Sequence, residues 1–267
     1  MTREEPVVLV MDSGVGGLSV AQHIQALRPD LSLLYLADNG ALPYGNKSEA
    51  WLNHRVATLA QRVVQEYPLQ LVVVACNTAS TLVLPALRAS LSVPVVGVVP
   101  AIKPAAALSQ TKHIGLLATP GTVQRSYTDQ LVNEFAEGCR VSRLGTTDLV
   151  SLAEDKLAGK AVDLQRLAQA VAPLFAQQDL DTLVLGCTHF PLLVPELEQI
   201  APRKINWVDS GQAIARRVDA LLPQISSSEH MPHQAILTAE VDQTSTLLTS
   251  LSRLGFGHSR VWAMGAE

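Results

Sequence analysis

Residues 69–80, LQLVVVACNTAS, carry a short run of Leu and Val straight into Cys76, Asn77 and Thr78 and on into a helical stretch, STLVLPALRAS at 80–90. A run this short, without strict apolar–polar alternation, predicts a strand covered on both faces. Residues 181–191, DTLVLGCTHFP, have the same build, with Cys187 at the strand exit beside Thr188 and His189. Similar runs are PVVLVMD (6–12), LSLLYLAD (31–38), VPVVGVV (93–99), KHIGLLAT (112–119) and INWVD (205–209). Between them lie amphipathic stretches such as GLSVAQHIQALRP (17–29) and SEAWLNHRVATLAQRVVQEY (48–67). Buried strands alternating with helices predict an α/β fold with largely parallel sheets.

Most of these strands end in small, polar or reactive residues: Asp12-Ser13, Asp38-Asn39, Cys76-Asn77-Thr78, Thr119, Cys187-Thr188-His189 and Asp209-Ser210. Ligands of open α/β sheets bind outside the carboxyl ends of the strands, so the chemistry is expected at these tips. A chain of 267 residues is long for one core and comfortable for two, since single cores stop growing near about 250–300 residues. Pro94, Pro100 and Pro104 flank a crossover near residue 98, and the chain crosses back near 207. The expected lobes are therefore 1–97 completed by 208–267, and 98–207. LPQISSSEHMPHQ (222–234), polar with two prolines, reads as a surface loop. There is also an internal echo, MDSGVGGLSVA (11–21) with VDSGQAIARRV (208–218) and VACNTAS (74–80) with LGCTHFP (185–191).

The formal charge of -4 argues against a general nucleic-acid or acidic-membrane binder, which presents basic stripes. No run is long and apolar enough for a membrane span, because VPVVGVVPAIKPAAAL (93–108) is broken by Lys103 and prolines. The N-terminus MTREEPVVLV lacks the basic region of a signal peptide. Three widely spaced cysteines, with no C-x-x-C pair, make neither a disulfide framework nor a zinc site. A cytoplasmic protein fits these features.

Free cysteine is ordinarily a small buried hydrophobe. Cys139 in FAEGCRVSR has no polar strand-end context and is read that way. Cys76 and Cys187 instead stand between a strand and a predicted helix start, where exposed N–H groups and the helix dipole favour a thiolate. A cysteine nucleophile paired with His189 leaves Cys76 without a role. General acid–base work at a chiral carbon, one thiolate taking a proton and one thiol delivering a proton to the opposite face, uses both. The turn DSGVGGLS (12–19) lacks the third glycine of a dinucleotide fingerprint where Ser19 stands, and Asp38, placed like a ribose-binding acid, does not repair it. The turn is better suited to presenting Asp12, Ser13 and backbone N–H groups to a small ligand.

Taken together, DSGVGGLSV, NGALPYGNKS, VVACNTAS, TPGTVQRSYT and LGCTHFPLL, in this order and spacing, resemble the glutamate racemases over nearly the whole chain, weakening after about residue 220. The resemblance implies two Rossmann- or flavodoxin-like α/β lobes related by a pseudo-twofold axis, with the active site in the cleft between them. It implies cofactor-independent interconversion of L- and D-glutamate for peptidoglycan, with no metal. Cys76 would act on D-glutamate and Cys187 on L-glutamate, assisted by Asp12 and His189, with Glu154 in the second lobe also implicated. Substrate contacts carry over to Asp12, Ser13, Tyr44, Gly45, Asn77, Thr78, Thr188 and His189, with Thr119 and Thr122 as further carboxylate contacts. A zwitterion with two carboxylates needs several N–H and O–H donors, and an acidic neighbour such as Asp12 suits its ammonium.

Pro120 and Asn46 stand where relatives often carry a charged residue. PAIKPAA and GTVQRSYT look like the subset of the family activated by a UDP-linked muramoyl-alanine precursor. Family members are often homodimers and some inhibit DNA gyrase; no residue in this chain decides either. Aspartate racemase is the alternative activity, sharing the paired cysteines but typically carrying glutamate where His189 stands and lacking the DSGVGG turn.

Overall fold

The structure, a computed structural model, describes residues 7–224, 232–242 and 245–262. The chain divides into two compact units, Met1–Val98 with Gly211–Glu267, and Val99–Ser210. Among the described residues every strand pairing is parallel. The fold is α/β.

The first unit is built on β1 (Val7–Asp12), β2 (Ser32–Ala37), β3 (Leu69–Val74), β4 (Val95–Gly97), β9 (Gln234–Leu237) and β10 (His258–Val261), in the order β10-β9-β2-β1-β3-β4. Every residue of β1 and β2 is buried, as a strand covered on both faces requires. Full burial of each such Val or Leu side chain stabilises by about 1.5–3 kcal/mol. The helices are α1 (Leu18–Leu27), α2 (Glu49–Glu66), α3 (Asn77–Ser90), α10 (Gly211–Leu221) and α11 (Thr246–Arg253). In α2 the buried residues Leu52, Val56, Leu59, Ala60 and Val63 recur at helical spacing, and Ser48 caps the first turn by accepting from the Trp51 amide.

The second unit is built on β5 (His113–Ala118), β6 (Arg140–Gly145), β7 (Thr182–Gly186) and β8 (Asn206–Val208), in the order β6-β5-β7-β8. Its helices are α4 (Ile102–Leu108), α5 (Pro120–Val123), α6 (Ser126–Phe135), α7 (Asp148–Leu157), α8 (Leu164–Phe175) and α9 (Val194–Ile200). One core cluster joins Leu149, Leu152, Leu167 and Val171 to Leu183, Leu185 and Phe190, and another joins α4 to Ile114, Leu116 and Val184.

The central strands of both sheets share one order. The first, second, third and fourth strands of each unit lie 2-1-3-4, so each sheet has a switch point between its first and third strands. Cys76 and Cys187 both follow the third strand of their unit. The DSG echo has no such basis: the first DSG follows a first strand, the second follows the fourth strand of the other unit.

Three strands fall outside the apolar runs singled out from the sequence. In β6 the exposed Arg140 and Arg143 leave only interrupted burial, as suits a charged edge strand, and β9 and β10 are four residues each. Of the expected surface loop at 222–234, residues 225–231 lie outside the described residues.

Candidate active site

At the switch point of the first unit, β1 ends at Asp12, 2% exposed, followed by buried Ser13. A carboxylate oxygen of Asp12 accepts from the Gly17 amide at 2.7 Å, closing the DSGVGG turn. Glycine is required there by close approach rather than by a special φ. A Cβ at Gly17 would meet Asp12 Cβ at 2.7 Å, the Tyr35 hydroxyl at 2.9 Å and Ala75 Cβ at 3.0 Å. That hydroxyl donates to the Gly14 carbonyl at 2.7 Å, so the turn is tied to the β2 core.

Across the same switch point, β3 leads to Cys76, the N-cap of α3. Its side chain makes no capping bond, and α3 runs 14 residues, so the thiol stands at a full helix N-terminus whose partial positive charge favours thiolate. Asn77 and Thr78 open the helix, both buried. The Asn77 side-chain carbonyl has no hydrogen-bond partner among the described residues. A buried acceptor left open costs about 1–3 kcal/mol, which a ligand N–H would recover.

Tyr44 and Gly45 lie in a 3₁₀ turn, Tyr44–Asn46, that packs against α3. Tyr44 is buried and Gly45 exposed, as is Asn46. The Tyr44 hydroxyl donates to Asp38 at 2.8 Å. Burial, then the Asp38 carboxylate, then the neighbouring Cys76 and Asp12 push the Tyr44 phenol well above its ordinary value, so it stays a donor.

In the second unit, β5 leads to Thr119, the N-cap of α5, whose hydroxyl is 2.9 Å from that of Thr122, and the Thr128 hydroxyl donates to the Thr122 carbonyl at 2.6 Å. Pro120 occupies the first position of α5, where its missing N–H costs nothing. Next to β5 in the sheet, β7 leads directly into Cys187, Thr188 and His189, all buried. His189 Nδ1 lies 3.9 Å from the Cys187 sulfur, and its Nε2 lies 2.8 Å from a Glu154 oxygen. Glu154 thus orients the imidazole that faces the thiol. Lys156, on the same helix α7, fixes that helix by donating to the Leu192 carbonyl at 2.7 Å and to Glu196 at 2.8 Å.

The helix expected directly after Cys187 is a 3₁₀ segment, Phe190–Leu193, followed by the short α9. Pro191 and Pro195 remove two backbone donors from this stretch. Cys187 therefore has a histidine–carboxylate pair where Cys76 has a helix N-terminus.

A family profile described as Asp/Glu/Hydantoin racemase matches residues 18–218. The chain belongs to this racemase family. Among racemases of known kind, it is 53% identical to the glutamate racemase of Pasteurella multocida over 83% of this chain and 82% of that one. It is 52% identical to that of Klebsiella pneumoniae over 94% and 90%. Escherichia coli glutamate racemase, solved with L-glutamate and the activator UDP-MurNAc-ala, superposes with a TM-score of 0.89 at 49% identity, covering 96% of this chain and 98% of that one.

Within this racemase fold each predicted site residue falls at a strand tip or in the turn or helix packed against it. The first unit brings together Asp12, Ser13, Tyr44, Gly45, Cys76, Asn77 and Thr78. The second brings together Thr119, Thr122, Glu154, Cys187, Thr188 and His189. Cys139 packs half-buried against the α4 cluster, away from these tips. Sequence reasoning missed Arg55, Thr238 and Lys156, polar residues on amphipathic helices or past a short strand, with no local signal to separate them from surface. Among the described residues no group of His, Cys, Asp and Glu is arranged to hold a metal ion, and no helix is long and apolar enough to cross a membrane.

Proposed function

We propose that this chain is a glutamate racemase that works by proton transfer between two cysteines and supplies D-glutamate for peptidoglycan in the cytoplasm. The observation that carries the reading is about 50% identity to curated glutamate racemases over most of the chain, joined to a thiol after the third strand of each unit. Glutamate rather than aspartate is favoured by the same relatives.

The Cys76 thiolate takes the α-proton of D-glutamate, the pair of electrons stays on the α-carbon as it flattens, and the Cys187 thiol gives its proton to the opposite face. The L-enantiomer runs the same steps in reverse, and the cycle ends with one proton exchanged. Asp12 serves the Cys76 side, while His189, oriented by Glu154, serves the Cys187 side. The open Asn77 carbonyl suits the substrate ammonium; the hydroxyls of Ser13, Thr78, Thr119, Thr122 and Thr188 and the Gly45 amide suit its carboxylates.

The test is incubation with L-glutamate in heavy water without added cofactor, following α-hydrogen exchange and optical rotation together. Deuterium gain with inversion is expected. No exchange, with D-glutamate equally inert, would overturn the reading.

Activation by a UDP-linked muramoyl-alanine precursor belongs to the same proposal. Helix α4, which holds most of the PAIKPAA segment, packs against α6, which begins within GTVQRSYT, and Lys103 lies over the Phe135 ring at 5.3 Å. A basic side chain beside an aromatic face suits a nucleoside diphosphate. Racemisation should rise when the precursor is added, and an unchanged rate would remove this part.

A further inference from the structure

Asp38 is fully buried, yet nothing about the strand-tip chemistry uses it directly. Its carboxylate is held from three sides. Arg55 of α2 grips it with two bonds, at 3.0 and 2.7 Å, the Thr238 hydroxyl donates at 2.6 Å, and the Tyr44 hydroxyl donates at 2.8 Å. Residues past β9 latch onto the same turn. The Asn39 side chain accepts from the Thr238 and Ala239 amides and donates to the Ala239 carbonyl. The Gly40 amide donates to the Thr238 hydroxyl at 3.1 Å.

A buried carboxylate with this many donors is costly to build, because two desolvated charges recover their hydration only if their remaining bonds are all made. Its geometry has one free consequence. The Tyr44–Asn46 turn packs on α3, whose N-cap is Cys76, so whatever fixes Tyr44 fixes that turn relative to the thiol.

We propose that Asp38 is a positioning residue for substrate binding: braced by Arg55 and Thr238, it holds the Tyr44 phenol and so keeps the Tyr44-Gly45 turn in place beside Cys76. The proposal rests on the glutamate racemase reading above. A turn that contacts substrate equally before and during proton transfer contributes uniform binding, so loosening it raises KM and spares kcat.

The experiment is steady-state racemisation of both glutamate enantiomers by the intact chain and by Tyr44→Phe, Thr238→Val, Asp38→Asn and the Asp38→Asn/Tyr44→Phe double variant. Tyr44→Phe and Thr238→Val leave the Asp38–Arg55 ion pair intact. Asp38→Asn/Arg55→Met removes both charges and covers the case in which Asp38→Asn does not fold. Expected is a KM rise of about tenfold in Tyr44→Phe and Asp38→Asn, the scale of one hydrogen bond to a charged group, for both enantiomers, with kcat within about twofold. The double variant should lose no more than the worse single, since both changes break one link. Multiplying losses, or an unchanged KM with only a lower melting temperature, would overturn the role of Asp38. An intact chain that racemises no glutamate would instead remove the functional reading itself.

Discussion

At the residue scale, the two thiols have different surroundings, Cys76 a helix N-terminus and Cys187 a histidine–carboxylate pair. Because glutamate enantiomers have equal free energy in water, kcat/KM must be equal in both directions for any variant. Asymmetry therefore has to be read from exchange. Cys76→Ala should lower racemisation by about a hundredfold to ten-thousandfold, the usual worth of a positioned acid or base. It should retain solvent exchange at the α-hydrogen of L-glutamate and lose that of D-glutamate, with Cys187→Ala the mirror case. Proton NMR in heavy water reads both, and a variant that still racemises near the intact rate would end the two-base scheme. Glu154→Gln removes the charge that orients His189, so turnover should fall about tenfold. A rate unchanged across the pH profile would leave Glu154 without a part. The two cysteines were legible because reactive side chains at strand exits are unusual locally, whereas Glu154, inside α7, came only from the family resemblance. Asp38 was legible only as a strand end, since its three partners come from residues 44, 55 and 238.

At the scale of elements, the last turn of α1 is tied to the end of α10 by one side chain. Arg28, 2% exposed, binds Asp30 through two bonds, at 2.7 and 2.6 Å, and reaches Asp219 at 3.2 Å and the Leu222 and Pro223 carbonyls at 3.1 and 2.8 Å. Residues nearly two hundred positions apart are thereby joined in one unit. Arg28→Ala strands two carboxylates and two carbonyls, one carboxylate being partly solvated, so the loss should be about 2–3 kcal/mol in a urea titration. Asp219→Asn, at a more exposed partner, should cost under about 1 kcal/mol. Equal costs would mean that the tie runs through Asp219 alone. Strands β1, β2, β3, β5 and β7 were legible because burial on both faces demands a continuous apolar run, and the three-residue edge strands β4 and β8 fell inside the stretches 93–99 and 205–209. Strands β6, β9 and β10 were not, because β6 and β10 are largely exposed edge strands and β9 buries only Ala235, Ile236 and Leu237, too short a run to read as a strand by itself.

At the scale of the whole molecule, acid sensitivity has an identifiable contributor at the opposite end of the second sheet from the site. Burial raises the Asp181 pKa, but bonds from the Ser109 hydroxyl, the Thr111 amide, the Thr182 hydroxyl and the Gln110 amide outweigh it and hold it at about 2. The folded value is thus depressed below the ordinary aspartate value of about 3.9. Such a group stabilises fully above its unfolded pKa and loses that contribution as pH falls through the folded one. Stability should therefore drop between about pH 4 and pH 2. Asp181→Asn should flatten that part of the curve in thermal melts taken across the range, and an unaltered slope would assign the acid loss elsewhere.

The sequence by itself determined the α/β class, most of the strands and the two cysteine-bearing tips, because strand burial and strand-exit chemistry are written in consecutive residues. Tertiary structure decided what no window of sequence holds. It set the 2-1-3-4 order that places both cysteines at switch points, the Glu154–His189 pair and the brace of Arg55, Thr238 and Asp38 around Tyr44. The pair and the brace depend on which distant groups a buried polar atom meets. A buried charge or donor must find its partner wherever the packed chain brings one, and sequence distance does not enter that requirement.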